Sequence, residues 1–365
     1  VERVGIGVIG CGYISAAYLK AAKLFPILEV RALADLNHEA AEARAQEFGL
    51  KAVSIEKLLA DPKIEIVVNL TIPKAHVEVS LKAIEAGKHV HSEKPLGVAL
   101  AEAKKLIELA QKRKLRVGCA PDTFLGGAHQ TCRKLIDEGR IGTPVAGAAF
   151  FMCPGHERWH PNPDFYYEQG AGPMLDMGPY YVTALVDLLG PVARVAGVAT
   201  MLRKERVITS EPRRGETIPV KTPTHIAGTM EFVSGAAVTI AMSFDVPKHK
   251  HTPLEIYGTK GSLIVPDPNY FDGRIEIAAA GEEWAEVATE HGYADGNYRM
   301  IGAADMAQAI RAGRPHRANG DLAYHVLEVM EAFEKSSNSG AFVEIDSRPE
   351  RPAPLPVGLK TGELD

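Results

Sequence analysis

The stretch that decides the fold is Arg3-Val4-Gly5-Ile6-Gly7-Val8-Ile9-Gly10-Cys11-Gly12-Tyr13-Ile14-Ser15. A β-branched run ends in a Gly-x-Gly turn. Ala16, Ala17, Leu19, Ala21, Ala22 and Leu24 follow with a helical composition that stops at Pro26. Glu29 to Ala34 reads as a second strand, and it ends at Asp35. The order strand, glycine turn, helix, strand, acid has a physical reading. Gly10 permits the tight turn, Gly12 lets the backbone approach a pyrophosphate, and the helix N-terminus offers unsatisfied N–H groups to that anion. Ser15 stands where a third glycine is usual and is small enough for close helix–strand packing. Asp35 falls about 20 residues further on, where an acid hydrogen-bonds the adenosine ribose hydroxyls. A carboxylate there repels a 2′-phosphate and no arginine immediately follows it, so the expected cofactor is NAD rather than NADP.

Working outward, the alternation continues. Helices are expected over Glu39 to Phe48, closed by Gly49, over Ser54 to Leu59, over Ala75 to Ala86, ended by Gly87, and over Leu100 to Lys112. Strands are expected over Ile64 to Leu70, His89 to Glu93 and Arg116 to Ala120. Parallel strands joined by helices make an α/β, doubly wound sheet. Ligands of such sheets bind beyond the carboxyl ends of the strands. Thr71, Pro73 and His76 therefore stand beside the expected adenosine site, and Glu93-Lys94-Pro95 ends the strand where cofactor and substrate meet. Pro95 reads as a rigid turn, with a cis bond as one option.

A chain of 365 residues is long for one core, so two domains are expected, 1–121 and 122–365. Beyond Pro121-Asp122, Phe124 to Glu138 reads as a helix and Val145 to Met152 as a strand. A long aromatic and proline-rich loop follows, from Pro154 to Tyr167. The segment Met174-Leu175-Asp176-Met177-Gly178-Pro179-Tyr180-Tyr181 opens an apolar helix to Leu189, in which Pro179 is tolerable only near the first turn. Strand-like runs over Val192 to Thr200, Thr224 to Val233, Ala236 to Phe244, Leu254 to Tyr257 and Ser262 to Val265 predict an α+β domain with an open, mainly antiparallel sheet. Asn297 to Ala312 and Leu322 to Lys335 read as helices, and the tail from Pro349 as irregular.

Composition excludes several classes. The net charge is −5, with acids and bases interspersed, which argues against a nucleic-acid footprint. No run reaches the roughly 18 apolar residues of a membrane span. The apolar run Val4 to Ile9 is too short for a signal peptide. Cys11, Cys119, Cys132 and Cys153 show no framework spacing, so a reducing cytoplasm is expected. Cys153, His156 and His160 have no fourth partner at a diagnostic spacing, and no metal is expected.

Gly10-Cys11-Gly12, Asp35, Glu93-Lys94-Pro95 and Gly170-Ala171-Gly172-Pro173-Met174-Leu175-Asp176-Met177-Gly178, in that order, resemble the glucose-fructose oxidoreductase / inositol dehydrogenase / MocA family. The resemblance covers nearly the whole chain. It implies an N-terminal Rossmann domain and a C-terminal sheet domain used for oligomerisation, here a homodimer or homotetramer. It also implies nicotinamide-dependent oxidation or reduction of sugars, polyols and glycosides. The family's lysine maps to Lys94 and its second-domain aspartate to Asp176. Many members carry histidine four residues after that aspartate, whereas this chain has Tyr180.

The chemistry leads to the same residues. Oxidising a secondary alcohol needs a base for the hydroxyl proton while hydride leaves carbon. A tyrosine is a poor base near its usual pKa of about 10, and a neighbouring ammonium lowers that value. The expectation is that Tyr180 exchanges the proton, Lys94 polarises the oxygen, and Asp176 orients Lys94 or a sugar hydroxyl. Tyr181 competes for the tyrosine role. Arg158, His160, Tyr166, Asn297 and Arg299 are candidate substrate contacts. The cofactor set comprises Gly10, Cys11, Gly12, Tyr13, Ile14, Asp35, Thr71, Pro73, His76, Glu93 and Lys94. Two other functions compete: an NADP-linked dihydrodiol or keto-sugar reductase, and a regulator that binds dinucleotide without turnover.

Overall fold

The structure, a computed structural model, describes residues 2–365. Its first half alternates strand and helix: β1 (Val4–Ile9), α1 (Ser15–Ala22), β2 (Leu28–Ala34), α2 (His38–Phe48), α3 (Ile55–Ala60), β3 (Ile66–Asn69), α4 (His76–Glu85), β4 (His89–Ser92), α5 (Leu100–Arg113) and β5 (Val117–Cys119). All neighbouring strands are parallel, in the order β2-β1-β3-β4-β5. A parallel bridge from Leu33 to Ala52 adds a rudimentary strand beyond β2. With that strand counted, the order becomes that of a dinucleotide-binding sheet, with β1 at the point where the winding reverses. Val4, Ile6, Val8 and Ile9 are at most 1% exposed, and each contributes about 1.5–3 kcal/mol by leaving water. Capping ends the helices as the residues suggest. Asn37 accepts from Glu39 N at 3.1 Å to start α2, and Gly49, at φ 68°, closes it.

The second half runs α6 (Gly127–Asp137), β6 (Pro144–Met152), α7 (Pro173–Leu189), β7 (Val192–Thr200), β8 (Glu205–Val207), β9 (Thr217–Pro219), β10 (His225–Phe232), β11 (Ala237–Ser243), β12 (Leu254–Gly258), β13 (Gly261–Val265), β14 (Ile275–Ala279), β15 (Ala285–Val287), α8 (Ile301–Ala312), α9 (Gly320–Ser339) and β16 (Val343–Glu344). Nine of its strands form one sheet, β15-β14-β13-β12-β6-β11-β10-β7-β16, antiparallel except for the pair β6/β11. The short pair β8/β9 stands apart from it. Helices α7 and α9 pack on this sheet, while α8 and α9 also lie against elements of the first sheet. Those two helices join the halves.

Three expectations change. The helix expected over Phe124 to Glu138 is split: a 3-10 turn over Thr123–Leu125 is separated from α6 by Gly126 in an extended conformation. An added Cβ at Gly126 would lie 2.5 Å from Phe271 backbone atoms, so close packing governs that position. The helix expected from Asn297 starts only at Ile301, because Met300 sits at φ 129°. Pro179 lies well inside α7 rather than in its first turn, since Pro173 already occupies the start. The early start puts Asp176 and Tyr180 on one helical face. Five short strands, β8, β9, β14, β15 and β16, escape a reading based on long apolar runs.

Candidate active site

The carboxyl edge of the first sheet is built by the glycine turn. Gly10 has φ 103°, and a Cβ there would lie 2.5 Å from the Leu70 carbonyl, so only glycine fits without movement. At Gly12 a Cβ would meet nothing within 4 Å, which leaves the backbone open to an incoming ligand. Asp35 closes the turn: its Oδ2 accepts from Cys11 N at 2.7 Å and its Oδ1 from Asn37 N at 2.9 Å. Tyr13, Leu36 and Ile72, at 95, 94 and 68% exposed, form an apolar rim beyond β1, β2 and β3. A glycine cradle, a carboxylate and an apolar rim fit a dinucleotide. One cation missed by the sequence reading is Arg44 of α2, which donates to Gly12 O at 3.2 Å and pairs with Glu47 at 2.5 Å.

Several expected cofactor residues are engaged in the frame of the sheet edge. His76 is buried, with Nδ1 2.7 Å from Pro95 O and Nε2 2.9 Å from Thr71 O. Both ring nitrogens face loop carbonyls, and the neutral ring, donating to one of them, packs between the Thr71 and Pro95 loops. Glu93 is also buried, accepting from Tyr18 Oη at 2.6 Å and from Lys94 N at 2.9 Å. The Thr71 hydroxyl donates to Asn69 Oδ1 at 2.7 Å, and Pro73 opens a 3-10 turn. Ile14 starts α1. The Lys94–Pro95 bond is cis.

Lys94 projects from the end of β4 onto α7. Its ammonium donates to Asp176 Oδ1 at 2.9 Å and to the Asp176 carbonyl at 2.8 Å. The other carboxylate oxygen, Oδ2, meets His156 Nε2 at 2.9 Å. Trp159 Nε1–H, which can only donate, approaches His156 Nδ1 at 3.1 Å. Nδ1 therefore accepts, and Nε2 carries the hydrogen given to Asp176. Asp176 thus has one donor on each oxygen. Burial pushes its carboxyl up, but Lys94 and His156 outweigh burial and hold it well below the usual carboxylate range. Burial pulls Lys94 down, and the Asp176 charge more than reverses this, leaving the ammonium above its ordinary value.

Tyr180 lies on the same face of α7, with the Lys94 ammonium 5.4 Å from its ring centroid. Burial raises its phenol pKa, and Lys94 pulls it back without cancelling the rise. The net direction is therefore up, opposite to what the ammonium alone would produce. Tyr181 turns away, toward Asp267 and Phe151, which removes it as a competitor.

The loop from Pro154 to Tyr167 folds over these groups. Tyr166 packs edge-on against His156 at 4.4 Å between centroids, and His160 packs edge-on against Trp159 and Tyr166. Arg158 is exposed and Asn297 accepts from Arg299 N at 3.2 Å. The loop is anchored by Glu157, which receives Tyr167 Oη and, at 3.0 Å, Arg206. Arg206 also reaches Asp245 and the Phe244 carbonyl. No local signal marks this anchor, because Arg206 stands 49 residues from Glu157 and 39 from Asp245 in sequence and the members form no motif. His156, first weighed with Cys153 and His160 as a metal set, instead completes the Lys94–Asp176 cluster. A separate groove of about 570 Å³, lined by Pro154, Arg158, Arg203, Thr209 and Pro247 among others, contains none of Lys94, Asp176 and Tyr180.

Fold and site together define a two-domain, dinucleotide-binding protein with a Lys–Asp–His cluster and a buried tyrosine at the domain junction. Residues 4–120 match the oxidoreductase family with an NAD-binding Rossmann fold, and residues 129–264 match the GFO/IDH/MocA C-terminal domain. The chain belongs to the GFO/IDH/MocA family of oxidoreductases, and its first domain is an NAD-binding Rossmann domain. It is 29% identical over 266 residues to 1,5-anhydro-D-fructose reductase of Ensifer adhaerens, covering 71% of this chain and 74% of that one. It is 24% identical over 397 aligned residues to levoglucosan dehydrogenase of Pseudarthrobacter phenanthrenivorans, covering 94 and 99%. A solved levoglucosan dehydrogenase in complex with NADH superposes with a TM-score of 0.84 at 22% identity, over 95% of this chain and all of that one. Among the described residues, no helix is long and apolar enough to cross a membrane.

Proposed function

We propose that this protein is an NAD-dependent oxidoreductase that exchanges hydride with a secondary hydroxyl or keto carbon of a sugar, polyol or glycoside. The observation that carries the reading is the Lys94–Asp176–His156 cluster beside the Tyr180 phenol, at the sheet edge carrying the glycine turn. Similarity to a sugar reductase and a sugar dehydrogenase supports the substrate class. NAD, when bound, supplies the hydride acceptor or donor at nicotinamide C4.

The protein's own groups divide the remaining work. A lysine ammonium has three N–H donors. Two are held by Asp176, which leaves one for the substrate oxygen. Lys94 stays cationic and Asp176 stays anionic with both oxygens engaged, so neither serves as the base. Tyr180 is the group left to give or take the proton. Its raised pKa keeps the phenol protonated near neutral pH, a state suited to donating a proton in carbonyl reduction. Asp35 disfavours a 2′-phosphate, so NAD is preferred over NADP. Arg44 is already paired with Glu47, which limits its use for an added phosphate. Arg158, His160 and Tyr166 are the proposed substrate-facing side chains. The proposed assembly is a homodimer or homotetramer, read by gel filtration; a monomer at micromolar concentration would refute it.

The test is a screen for NADH formation over sugars, polyols and glycosides, levoglucosan included. It is run in parallel with NADP, and in reverse on 1,5-anhydro-D-fructose. Turnover is expected with at least one compound, faster with NAD, and lost in Tyr180→Phe and Lys94→Ala. Tight NAD binding with no turnover on the whole panel would replace this reading with that of a dinucleotide-binding regulator.

A further inference from the structure

We infer that Arg299 is a positioning residue for the Tyr180 phenol, a second cation seated there by the buried carboxylate of Asp122. The inference deepens the proposed function and rests on Tyr180 being the proton-exchanging group.

Lys94 lies over the face of the Tyr180 ring, 5.4 Å from its centroid. The phenol oxygen itself is approached by Arg299, whose Nη2 lies 3.5 Å away. The same nitrogen is steadied by Asn269, through Oδ1 at 3.0 Å and the carbonyl at 3.4 Å. Both anchors are neutral. Among the described residues Arg299 has no carboxylate within ion-pair distance, although most other well-packed arginines here do, such as Arg133, Arg206 and Arg317. A guanidinium in a cleft with no carboxylate in contact, Glu93 and Asp122 acting on it only from further off, and with a phenol oxygen beside it, is arranged to favour the phenolate.

The backbone holds it there. The next residue, Met300, sits at φ 129°, a conformation that L-residues rarely adopt. Asp122 Oδ2 accepts from Met300 N at 3.1 Å and from Gly302 N at 3.0 Å, capping α8 from the segment just after β5. Gly302 is needed for that approach, since a Cβ would lie 2.6 Å from His91 and 3.0 Å from Asp122. Asp122, just beyond β5, therefore dictates where the chain before α8 points its arginine.

The charged and titratable groups facing the phenol come from four elements. Lys94 and Glu93 come from the end of β4, Arg299 from the segment before α8, Tyr166 from the aromatic loop and Asp176 from α7 itself. Glu93 opposes ionisation, and Lys94 and Arg299 favour it. Removing one of two cations therefore moves the phenol titration upward, while a residue of purely structural value would not move it.

The experiment is a pH titration of the full chain with saturating NAD, labelled with 13Cζ-tyrosine and read by NMR. The Tyr180 resonance is assigned as the one of eleven tyrosines that vanishes in Tyr180→Phe. Arg299→Gln and Arg299→Ala are expected to raise the Tyr180 midpoint by about 1 unit, roughly tenfold in ionisation constant. Arg299→Lys retains most of the wild-type value. Asp122→Ala moves the midpoint up, whereas Asp122→Asn, which keeps an oxygen for both N–H groups, moves it little. A midpoint unchanged within 0.2 units (roughly the precision of such a shift) in a folded Arg299→Gln or Arg299→Ala chain overturns the inference. The readout needs no turnover. An unshifted midpoint with an inactive Tyr180→Phe defeats the role of Arg299 alone. A shifted midpoint with a fully active Tyr180→Phe upholds the contact and defeats the role of Tyr180.

Discussion

Replacing Asp176 with asparagine isolates the most consequential contact at the junction. The carboxylate accepts Lys94 on one oxygen and His156 on the other, and both partners donate. Asparagine offers one oxygen and one NH₂, so one donor is left facing another donor, and the lysine loses its counter-charge. Removing one partner of a buried ion pair costs about 3–5 kcal/mol, whereas an exposed pair is worth at most about 1. The two side chains are only 17 and 15% exposed, which places the expected loss near the lower end of the buried range, about 3 kcal/mol. Urea unfolding at pH 7.5 of wild type, Asp176→Asn, Lys94→Met and the double variant measures it as a cycle. In the double variant the uncompensated charge is gone, and the asparagine oxygen is free to serve His156. Its stability is expected to recover by about 2 kcal/mol relative to Asp176→Asn. A loss below about 1 kcal/mol, or no recovery in the double variant, would refute the claim that this pair behaves as buried. The depressed Asp176 carboxyl adds a sign. Its stabilisation is complete above the unfolded-state value of about 3.9 and fades as pH falls from there toward the folded-state value.

Four further outcomes follow from the same geometry. Gly10→Ala forces a side chain into φ 103° and against the Leu70 carbonyl, so it lowers the thermal midpoint and weakens NAD binding. Gly12→Ala meets no protein atom, leaves the midpoint within about 2 °C and weakens NAD binding alone, as calorimetry would show. If Tyr180 carries the proton, kcat/KM for alcohol oxidation rises about tenfold per pH unit below the raised phenol pKa, while carbonyl reduction stays flat there; identical profiles in both directions would count against it. Burial pulls His91, His129, His316 and His325 down to about 4. The unfolded chain therefore binds more protons between pH about 6.5 and 4, and stability falls as pH drops through that window, by up to about 1.4 kcal/mol per unit for each group. Asp187, pushed up to about 6 by burial, opposes this, as do Asp122 and Asp267, whose carboxyls burial also raises, but they are fewer than the histidines. Denaturant midpoints that stay level from pH 7 to 4.5 would contradict that sum.

How much of this was legible in the sequence depends on the range of the cause. Strand, glycine turn and helix over residues 3–22 follow from β-branched runs and punctuation that act within a few residues, and the observed β1 and α1 agree. So do α2, which asparagine starts and glycine ends, and the antiparallel runs β7, β10 and β11. The helix expected from Asn297 failed because its start is set by Asp122, 178 residues away. Tyr180 was chosen for its four-residue spacing from Asp176, a local relation that α7 preserves. His156 leaves no such local signal, because its partner stands 20 residues on, across a loop with no periodicity.

The sequence by itself determined the alternating dinucleotide-binding half, its glycine turn and acid, and the pairing of Asp176 with Tyr180 on one helical face. Each depends on spacing, capping and small-residue sterics that any neighbouring context leaves in place. Only the tertiary structure decided that Lys94 meets Asp176 across 82 residues, that His156 closes the carboxylate, and that Arg299 reaches the phenol across 119. Those contacts are made by burial and hydrogen bonding between distant elements. The same burial reverses the net direction of the Tyr180 pKa, because desolvation depends on everything packed around a group and not on its nearest charge alone.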